Sequence, residues 1–187
     1  MHFVIENLEP KLSEWLYIEY SHSAKIVGRK SLLITNLKKE SEFRKLSKIA
    51  GVERKRAGDM FGQDEIVLLD PLAKETLSPP DLDDRKAILI GGILGNDPPI
   101  GRTKELLTKN FPRAMVRNIG KNQFSIDGAV FVAKQVSMGK SVKEVPVQIG
   151  LEIQIARGYS NFLPYAFPLV EGKPLISGKL IQYLKKH

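Results

Sequence analysis

Short apolar segments alternate with amphipathic ones along the first two thirds of this chain. The short apolar runs predict strands over residues 3–5, 31–35, 65–71, 87–94 and 114–116. Between them, apolar residues recur at helical spacing and predict helices over 14–27, 41–50, 102–110 and 126–139. Ser13 and Ser125 stand where two of these helices need an N-cap. This alternation predicts an α/β fold in which helices flank a largely parallel sheet.

The pattern changes after residue 144. Apolar and polar residues alternate over 145–155, which predicts a strand with one solvated face. An aromatic- and proline-rich segment follows over 158–174, and a short helix is predicted over 178–186. We treat the chain as a single domain, 1–187, in which 145–187 is a C-terminal capping extension. This extension could cap a ligand site, form a dimer contact or, most economically, cover the edge of the sheet.

Three loops follow apolar strands at the same predicted edge of the sheet. They lie after Leu69, after Leu94 and around Gly120, and we name them the first loop, the glycine loop and the third loop. Ligands of parallel sheets bind at the carboxyl ends of the strands, and glycine allows a ligand to approach the backbone closely. The three loops together are therefore the candidate ligand site.

Composition and charge narrow the possible functions. The chain contains no cysteine, which excludes disulfides, zinc–thiolate sites and cysteine nucleophiles. Its longest apolar run is too short for a membrane span, which needs about 20 residues, and no basic leader precedes the first strand, so we expect a cytoplasmic protein without membrane contact. The net charge of +8 favours RNA or ribosomes as surroundings. Arg54, Lys55 and Arg56 form the best candidate cluster for phosphate contact, with a solvated loop as the alternative.

Common nucleotide and metal motifs are absent when their spacing is counted. The glycine loop lacks the G-x-G-x-x-G spacing, which disfavours a dinucleotide site. The segment 172–179 has five residues between its glycines instead of four, and Leu180 replaces the hydroxyl that would bind magnesium. His2, His22 and His187 have no ligand spacing, so we expect neither a metal site nor a histidine-based triad.

Several segments together resemble SPOUT-type methyltransferases, most closely a group shared by archaea and eukaryotes. They are Ile5-Glu6, Ser13-Glu14-Trp15, Glu19-Tyr20-Ser21, Leu68-Leu69-Asp70-Pro71, the run from Gly91 to Pro99, Arg102-Thr103-Lys104-Glu105-Leu106, Arg117-Asn118-Ile119-Gly120 with Gln123 and Ser125, Asp127-Gly128-Ala129-Val130, and Gly172-Lys173-Pro174. The resemblance covers essentially the whole chain, and the block from Gly91 to Arg102 is its most specific part.

The resemblance implies a deep C-terminal trefoil knot and S-adenosylmethionine (SAM) as cofactor. It places the cofactor in the three loops already chosen, where backbone groups can bind adenine without charged side chains. The implied cofactor-binding residues are Leu69, Asp70, Pro71, Gly91, Gly92, Ile93, Leu94, Gly95, Asn118, Ile119, Gly120, Gln123, Phe124 and Ser125.

The resemblance also implies the substrate class. Eukaryotic members of the group resemble arginine methyltransferases that act on a ribosomal protein, whereas other SPOUT families mostly methylate rRNA or tRNA. The leading hypothesis is therefore SAM-dependent methylation of an arginine in a ribosomal protein, and the alternative is a base in rRNA or tRNA. A non-catalytic module that binds RNA or ribosomes is the alternative of another class. Both a monomer and a homodimer stay open.

Either acceptor requires an acid beside the glycine loop to orient it or to take its proton. Asp97 is the first candidate and Asp127 the second, with Glu19 a distant third. Asp97 could instead serve the turn before Pro98, and an acid in the first helical turn, like Asp127, is favourable without any catalytic role. Arg102 is a candidate for orienting the substrate or the cofactor carboxylate, with a salt bridge to Glu105 or another nearby acid as the alternative.

Overall fold

A six-stranded parallel sheet forms the centre of the molecule in a computed structural model, which describes residues 1–186. Its order is β3-β2-β1-β5-β4-β6, and every pairing is parallel. The strands are β1 (His2–Asn7), β2 (Leu32–Thr35), β3 (Gly51–Val52), β4 (Ile66–Leu69), β5 (Ala87–Gly92) and β6 (Met115–Arg117). The predicted α/β fold with a largely parallel sheet is confirmed.

Five α-helices accompany the two sheets within residues 1–186. They are α1 (Glu14–Val27), α2 (Glu40–Leu46), α3 (Arg102–Leu106), α4 (Ile126–Ser137) and α5 (Gly178–Leu184). The Ser13 hydroxyl accepts a hydrogen bond from Leu16 N at 3.1 Å, and the Ser125 hydroxyl accepts one from Gly128 N at 3.2 Å. Both predicted N-caps are therefore confirmed, because each hydroxyl satisfies an N–H that the helix leaves unpaired.

The two faces of the parallel sheet belong to different hydrophobic cores. Phe3 and Ile5 of β1 pack in the core that contains the buried faces of α1 and α4, whereas Val4 packs with Leu107 and Phe111 on the opposite face. This arrangement follows from the two-residue period of a strand, which sends successive side chains to opposite faces. Because both faces are covered, the strands read as nearly continuous apolar runs.

A second, antiparallel sheet is built by the C-terminal segment. It contains β7 (Val147–Ala156), β8 (Tyr159–Val170) and β9 (Lys173–Pro174). The aromatic- and proline-rich segment was not predicted as a strand, yet it forms most of β8. Pro164 lies at the register shift between the Ile149 and Leu151 pairings, where the ladder is interrupted and a missing N–H is tolerated.

Element boundaries differ from the predicted ones in two places. Helix α2 ends at Leu46 instead of near Ala50, and the two-residue strand β3 follows it at the sheet edge. The predicted helix over 102–110 is α3 followed by a separate 3₁₀ turn, Thr108–Asn110. Within the described residues, no helix has the length and apolar character that a membrane crossing needs.

Candidate active site

A cavity of about 200 Å³ opens at the carboxyl ends of β4, β5 and β6. All three predicted loops contribute to its wall. The wall residues that the sequence predicted are Leu69, Asp70, Pro71, Gly91, Ile93, Leu94, Gly95, Arg102, Ile119, Gln123, Phe124 and Ser125. Leu72, Ile90, Ile100, Lys121 and Ile126 are among the additional wall residues. The fold thus brings three segments that are distant in sequence to one mainly apolar pocket.

Gly92 serves close packing and, among residues 1–186, is not part of the cavity wall, so its predicted cofactor contact stays a prediction. Gly91 and Gly92 are the last two residues of β5, not part of a free loop. A Cβ on Gly92 would collide with the Tyr20 hydroxyl and would lie 2.8 Å from the Glu6 carbonyl oxygen. Only glycine therefore fits at this position, and the reason is the close approach of α1 and β1.

Asn118 connects the third loop to residues 73–76, the segment that follows the first loop. Its side-chain amide donates to the carbonyl oxygens of Ala73 at 3.0 Å and Glu75 at 2.9 Å. Its side-chain oxygen accepts from Thr76 Oγ1 at 3.1 Å and Gly120 N at 3.0 Å. Among residues 1–186, neither Asn118 nor Gly120 is part of the cavity wall. Both residues therefore support the wall, and their predicted contact with the cofactor stays a prediction.

Asp70 fixes the first loop from within the cavity wall. Its carboxylate accepts hydrogen bonds from Leu72 N at 2.9 Å and from Thr108 Oγ1 at 2.6 Å. The second bond ties the loop after β4 to the 3₁₀ turn that follows α3. Sequence reasoning did not find Thr108, because the two residues meet only through the strand order of the sheet.

Arg102 lines the cavity but is engaged with Glu9. Its Nη1 donates to Glu9 Oε1 at 2.9 Å and to the Leu94 carbonyl oxygen at 3.1 Å, and Leu94 N donates to the same Glu9 oxygen at 3.0 Å. The alternative of a salt bridge to a nearby acid is therefore the observed arrangement, and the acid is Glu9. Sequence reasoning missed Glu9, although it follows β1, the strand that pairs Asn7 with Gly92.

Gly95 allows two side chains to approach the glycine loop closely. A Cβ on Gly95 would lie 2.7 Å from Gln123 Cδ and 2.7 Å from Tyr165 Cε1. Gln123 Nε2 donates to the Asn96 carbonyl oxygen at 3.2 Å, and Ala166 N of β8 donates to the Gln123 carbonyl oxygen at 2.8 Å. The C-terminal sheet therefore contacts both the glycine loop and the third loop.

Asp97 is exposed at the rim of the site. Its neighbours Asn96 and Pro99 belong to the cavity wall, whereas Asp97 itself, among residues 1–186, does not. Burial raises the pKa of the Tyr165 phenol, and the charges of Glu19 and Asp97 raise it further. The carboxylate of Asp97 thus lies on the side of the glycine loop that faces β8.

Asp127 is buried between two helices, away from the cavity wall. Its Oδ2 contacts His22 Nδ1 of α1 at 2.6 Å, and its Oδ1 accepts from Gly128 N at 2.9 Å. Only 3% of its side chain is exposed. The carboxylate joins α1 to the first turn of α4, and its catalytic role stays a prediction.

Glu19 is a buried acid beside the cavity. It accepts hydrogen bonds from Trp15 Nε1 at 2.6 Å and from Ile126 N at 2.9 Å, and Ile126 belongs to the cavity wall. Burial, followed by the negative charge of Asp127, raises the pKa of Glu19 from its ordinary 4.5 to about 8. From the sequence, Glu19 was the third candidate among the catalytic acids, because the sequence of a helix does not show which residues of other elements its side chains contact.

The basic cluster predicted for phosphate contact is largely neutralised within the protein. Arg54 pairs with Glu40, and Arg56 Nε donates to the fully buried Glu6 at 2.6 Å. Two of the three cations therefore serve tertiary contacts, which sequence spacing alone does not reveal.

Comparison with known proteins identifies the family. The model of the family "Protein arginine N-methyltransferase SFM1-like" matches residues 2–187. The chain belongs to this family. Protein arginine N-methyltransferase SFM1 of Saccharomyces cerevisiae is 26% identical over 203 residues, which cover 100% of this chain and 95% of the yeast protein. The prediction of a methyltransferase and the resemblance to the SPOUT superfamily are thus confirmed.

Solved structures of the SFM1-like family share this fold. A crystal structure of yeast SFM1 complexed with SAM superposes with a TM-score of 0.89 and 26% identity, covering 99% of this chain and 90% of the yeast chain. A Trm10 structure from Thermococcus kodakaraensis matches at 22% identity with a TM-score of 0.61, covering 76% of this chain and 95% of that one, and shows likeness of fold alone. No group of three or more potential metal ligands occurs among residues 1–186, and His187 lies outside them.

Proposed function

We propose that this protein transfers a methyl group from SAM to an arginine side chain of a ribosomal protein. The family match over residues 2–187 carries the proposal. Yeast SFM1 has been crystallised with SAM, with S-adenosylhomocysteine (SAH) and with MTA, which supports SAM as the cofactor here. When bound, SAM supplies an electrophilic methyl group on a positively charged sulfur.

The cavity fits such a cofactor. Leu69, Ile90 and Ile119 provide an apolar wall, and backbone groups of the three loops provide donors and acceptors that an adenine ring can use. Gly91 and Gly95 keep side chains out of the wall of the glycine loop, which allows close approach to its backbone. These residues bind and orient the cofactor in the proposal.

Carboxylates around the glycine loop support a cationic acceptor. Glu19 contacts the start of α4, and Asp97 lies at the exposed rim, whereas Glu9 is already paired with Arg102. A guanidinium group needs carboxylates to orient it. Because its pKa exceeds 12, it is protonated at neutral pH and a poor nucleophile, so it must lose a proton in the course of methylation. In-line methyl transfer depends largely on such orientation. The exposed Asp97 is the acid that an incoming arginine meets first.

Methylation of a base in rRNA or tRNA is the second candidate. The observation that favours it is the net charge of +8. The engagement of Arg54 and Arg56 with Glu40 and Glu6 weakens it, since these cations are no longer available for phosphates. We therefore rank the RNA substrate below arginine.

Two measurements test the proposal in sequence. Calorimetric titration with SAM is expected to show binding. No binding at near-millimolar SAM would refute both methyltransferase hypotheses, and the non-catalytic module that binds RNA or ribosomes would then be the remaining hypothesis. Ribosomes incubated with the protein and methyl-labelled SAM are then separated into protein and RNA fractions. Label in the protein fraction, recovered after hydrolysis as methylarginine, is expected; label confined to RNA would refute the arginine substrate.

Two further features belong to this proposal. We propose that the chain threads the deep trefoil knot implied by its SPOUT resemblance and that it acts in the cytoplasm, where ribosomes are its substrate. The sheet order, in which β4 lies between β5 and β6, brings together the three loops that such a knot would hold.

A further inference from the structure

Buried acids in this protein differ in what neutralises them. Glu6, fully buried, pairs with Arg56, and Asp127 pairs with His22. Glu19 is only 3% exposed, yet its two hydrogen-bond donors, Trp15 Nε1 and Ile126 N, are both neutral. Among residues 1–186, no lysine, arginine or histidine is paired with it. Since a buried charge without a partner is strongly unfavourable, its surroundings favour the neutral acid in the absence of a ligand.

The position of Glu19 makes it a neighbour of the proposed reaction site. Ile126, whose N–H it accepts, belongs to the cavity wall and opens α4. On the other side, the charge of Glu19 acts on Tyr165, whose ring lies against Gly95. Among residues 1–186, Glu19 is not itself a wall residue, but it lies directly behind Ile126 at the start of α4.

The charged and titratable groups around Glu19 are mostly acidic or neutral. Asp127 of α4 carries the negative charge that raises the Glu19 pKa beyond the effect of burial, and His22 of α1 is already engaged with Asp127. Tyr20 on the same helix and Tyr165 of β8 are phenols whose own pKa values are raised, chiefly by burial. Among residues 1–186, no lysine, arginine or histidine is paired with Glu19, so its pKa of about 8 leaves it mainly protonated at neutral pH.

We propose that Glu19 is the counter-ion for a cationic group bound in the cavity, and that it loses its proton when that group binds. Two cationic groups have the required chemistry under the proposed function, on which this inference rests: the sulfonium of SAM and the guanidinium of the acceptor arginine. Either would stabilise the carboxylate and lower its pKa. Binding would then release up to one proton at neutral pH. Glu19 would thereby favour the charged methyl donor over its neutral product, or the charged acceptor over neutral side chains.

Calorimetry of the unmodified protein distinguishes the two possible cationic partners of Glu19, the sulfonium of SAM and the guanidinium of the acceptor. SAM and SAH are each titrated at neutral pH in two buffers of different ionisation enthalpy, which gives the number of protons released on binding. SAM is expected to release up to one proton more than SAH if the sulfonium is the partner. The SAM affinity relative to SAH then rises with pH, by at most tenfold per unit, and levels off above about 8.

The acceptor is tested in the same way. With SAH saturating the protein, N-acetyl-arginine amide is titrated against the neutral N-acetyl-citrulline amide. Proton release with the arginine probe alone assigns Glu19 to the guanidinium. Equal release by SAM and SAH, together with no excess release by the arginine probe, overturns the inference. Methyl transfer to ribosomal protein in that case would leave the proposed function intact, so the two failures are distinguishable.

Variants provide a second line of evidence. Glu19→Gln is expected to abolish the difference in proton release and to flatten the pH dependence of the SAM-to-SAH affinity ratio or of arginine binding. Glu40→Gln makes the same chemical change on the exposed helix α2. It is expected to leave the proton release and the pH dependence of ligand affinity unchanged. Unchanged proton release in a folded Glu19→Gln protein also overturns the inference. The measurements on the unmodified protein stand even if this variant does not fold.

Discussion

Individual residues at the glycine loop are constrained by side chains from distant parts of the chain. Glu9 of the loop after β1 binds Leu94 N, and Tyr165 of β8 packs against Gly95. Gly92 faces Tyr20 of α1. The glycines are thus required by close packing on several sides, and the space left open on the remaining side is the cavity.

Glu19 is expected to make the stability of the protein depend on pH. Its folded-state pKa of about 8 exceeds the ordinary value of 4.5, so the folded protein holds a proton that the unfolded chain releases between these values. The free energy of unfolding therefore decreases as pH rises from about 4.5 to about 8, by at most about 1.4 kcal/mol per pH unit from this group. Urea unfolding at several pH values measures this slope.

The Glu19→Gln variant isolates the contribution of this carboxyl group. Because glutamine does not titrate, the difference in unfolding free energy between the two proteins should shift with pH only inside that window. It should be constant above about pH 8. Parallel stability curves for the two proteins across the window would contradict the raised pKa of Glu19.

A Gly95→Ala substitution is expected to weaken SAM binding at least tenfold. The added Cβ would lie 2.7 Å from Tyr165 Cε1 and 2.7 Å from Gln123 Cδ, which forces the loop or these side chains to move. The dissociation constant by calorimetry measures the effect. Gly178→Ala is the matched control, since a Cβ there meets no atom within 4 Å, and it should bind SAM like the unmodified protein.

At the scale of elements, the site depends on links between loops and helices that the sheet merely places near each other. Asn118 connects the third loop to residues 73–76, Thr108 connects Asp70 to the turn after α3, and the His22–Asp127 pair connects α1 to α4. Each link joins residues more than 30 positions apart in sequence. The cavity wall is therefore only as rigid as these contacts.

Asn118→Ala is expected to lower the free energy of unfolding by roughly 2–4 kcal/mol, because its backbone partners would lose several hydrogen bonds in a buried position. SAM binding should weaken as well, since the third loop loses its connection to the segment that follows the first loop. Chemical denaturation and calorimetry measure the two effects. Asn110→Ala removes one exposed bond to the Leu106 carbonyl oxygen and should change stability by well under 1 kcal/mol. An Asn118→Ala protein as stable as this control would refute the bridging role.

At the scale of the whole molecule, the C-terminal extension covers the outer side of α1. Ile18 of α1 packs with Leu163 and Phe167 of β8 and with Leu180 and Leu184 of α5. The same extension contacts the third loop through Ala166 N. The extension thus contacts the site, as one of the alternatives expected, but the apolar surface that it covers belongs to α1 and not to the edge of the parallel sheet.

This cover predicts a monomer. SPOUT proteins are usually homodimers, but here the extension already occupies an apolar face of α1. Light scattering in solution is expected to give a mass near 21.0 kDa, whereas twice that mass would contradict the prediction.

Leu180→Asp should detach α5 and produce self-association or loss of stability. Lys179→Asp, at the exposed neighbouring position, should remain a stable monomer.

The fold class and the position of the candidate cavity could be predicted from the sequence, whereas the contacts that individual residues make could not. Strand and helix periodicity identifies the parallel sheet, and the rule of carboxyl strand ends selects the three loops. The long strand β8 was missed because prolines and aromatic residues there obscure a two-residue period. The roles of Arg102 and Asp127 were assigned by motif position, whereas in the structure Glu9 and His22 engage them.

What the sequence determined by itself is local: which segments are strands or helices, where the caps lie, and that glycine-rich loops end the strands. These properties depend on neighbouring residues and on the period of the backbone. Only the tertiary structure decided which charges are neutralised and which are not. It paired Arg56 with Glu6 and Asp127 with His22, and it left Glu19 beside the cavity without a cation. The reason is physical: burial and charge pairing depend on distances between residues far apart in the chain, which no local pattern encodes.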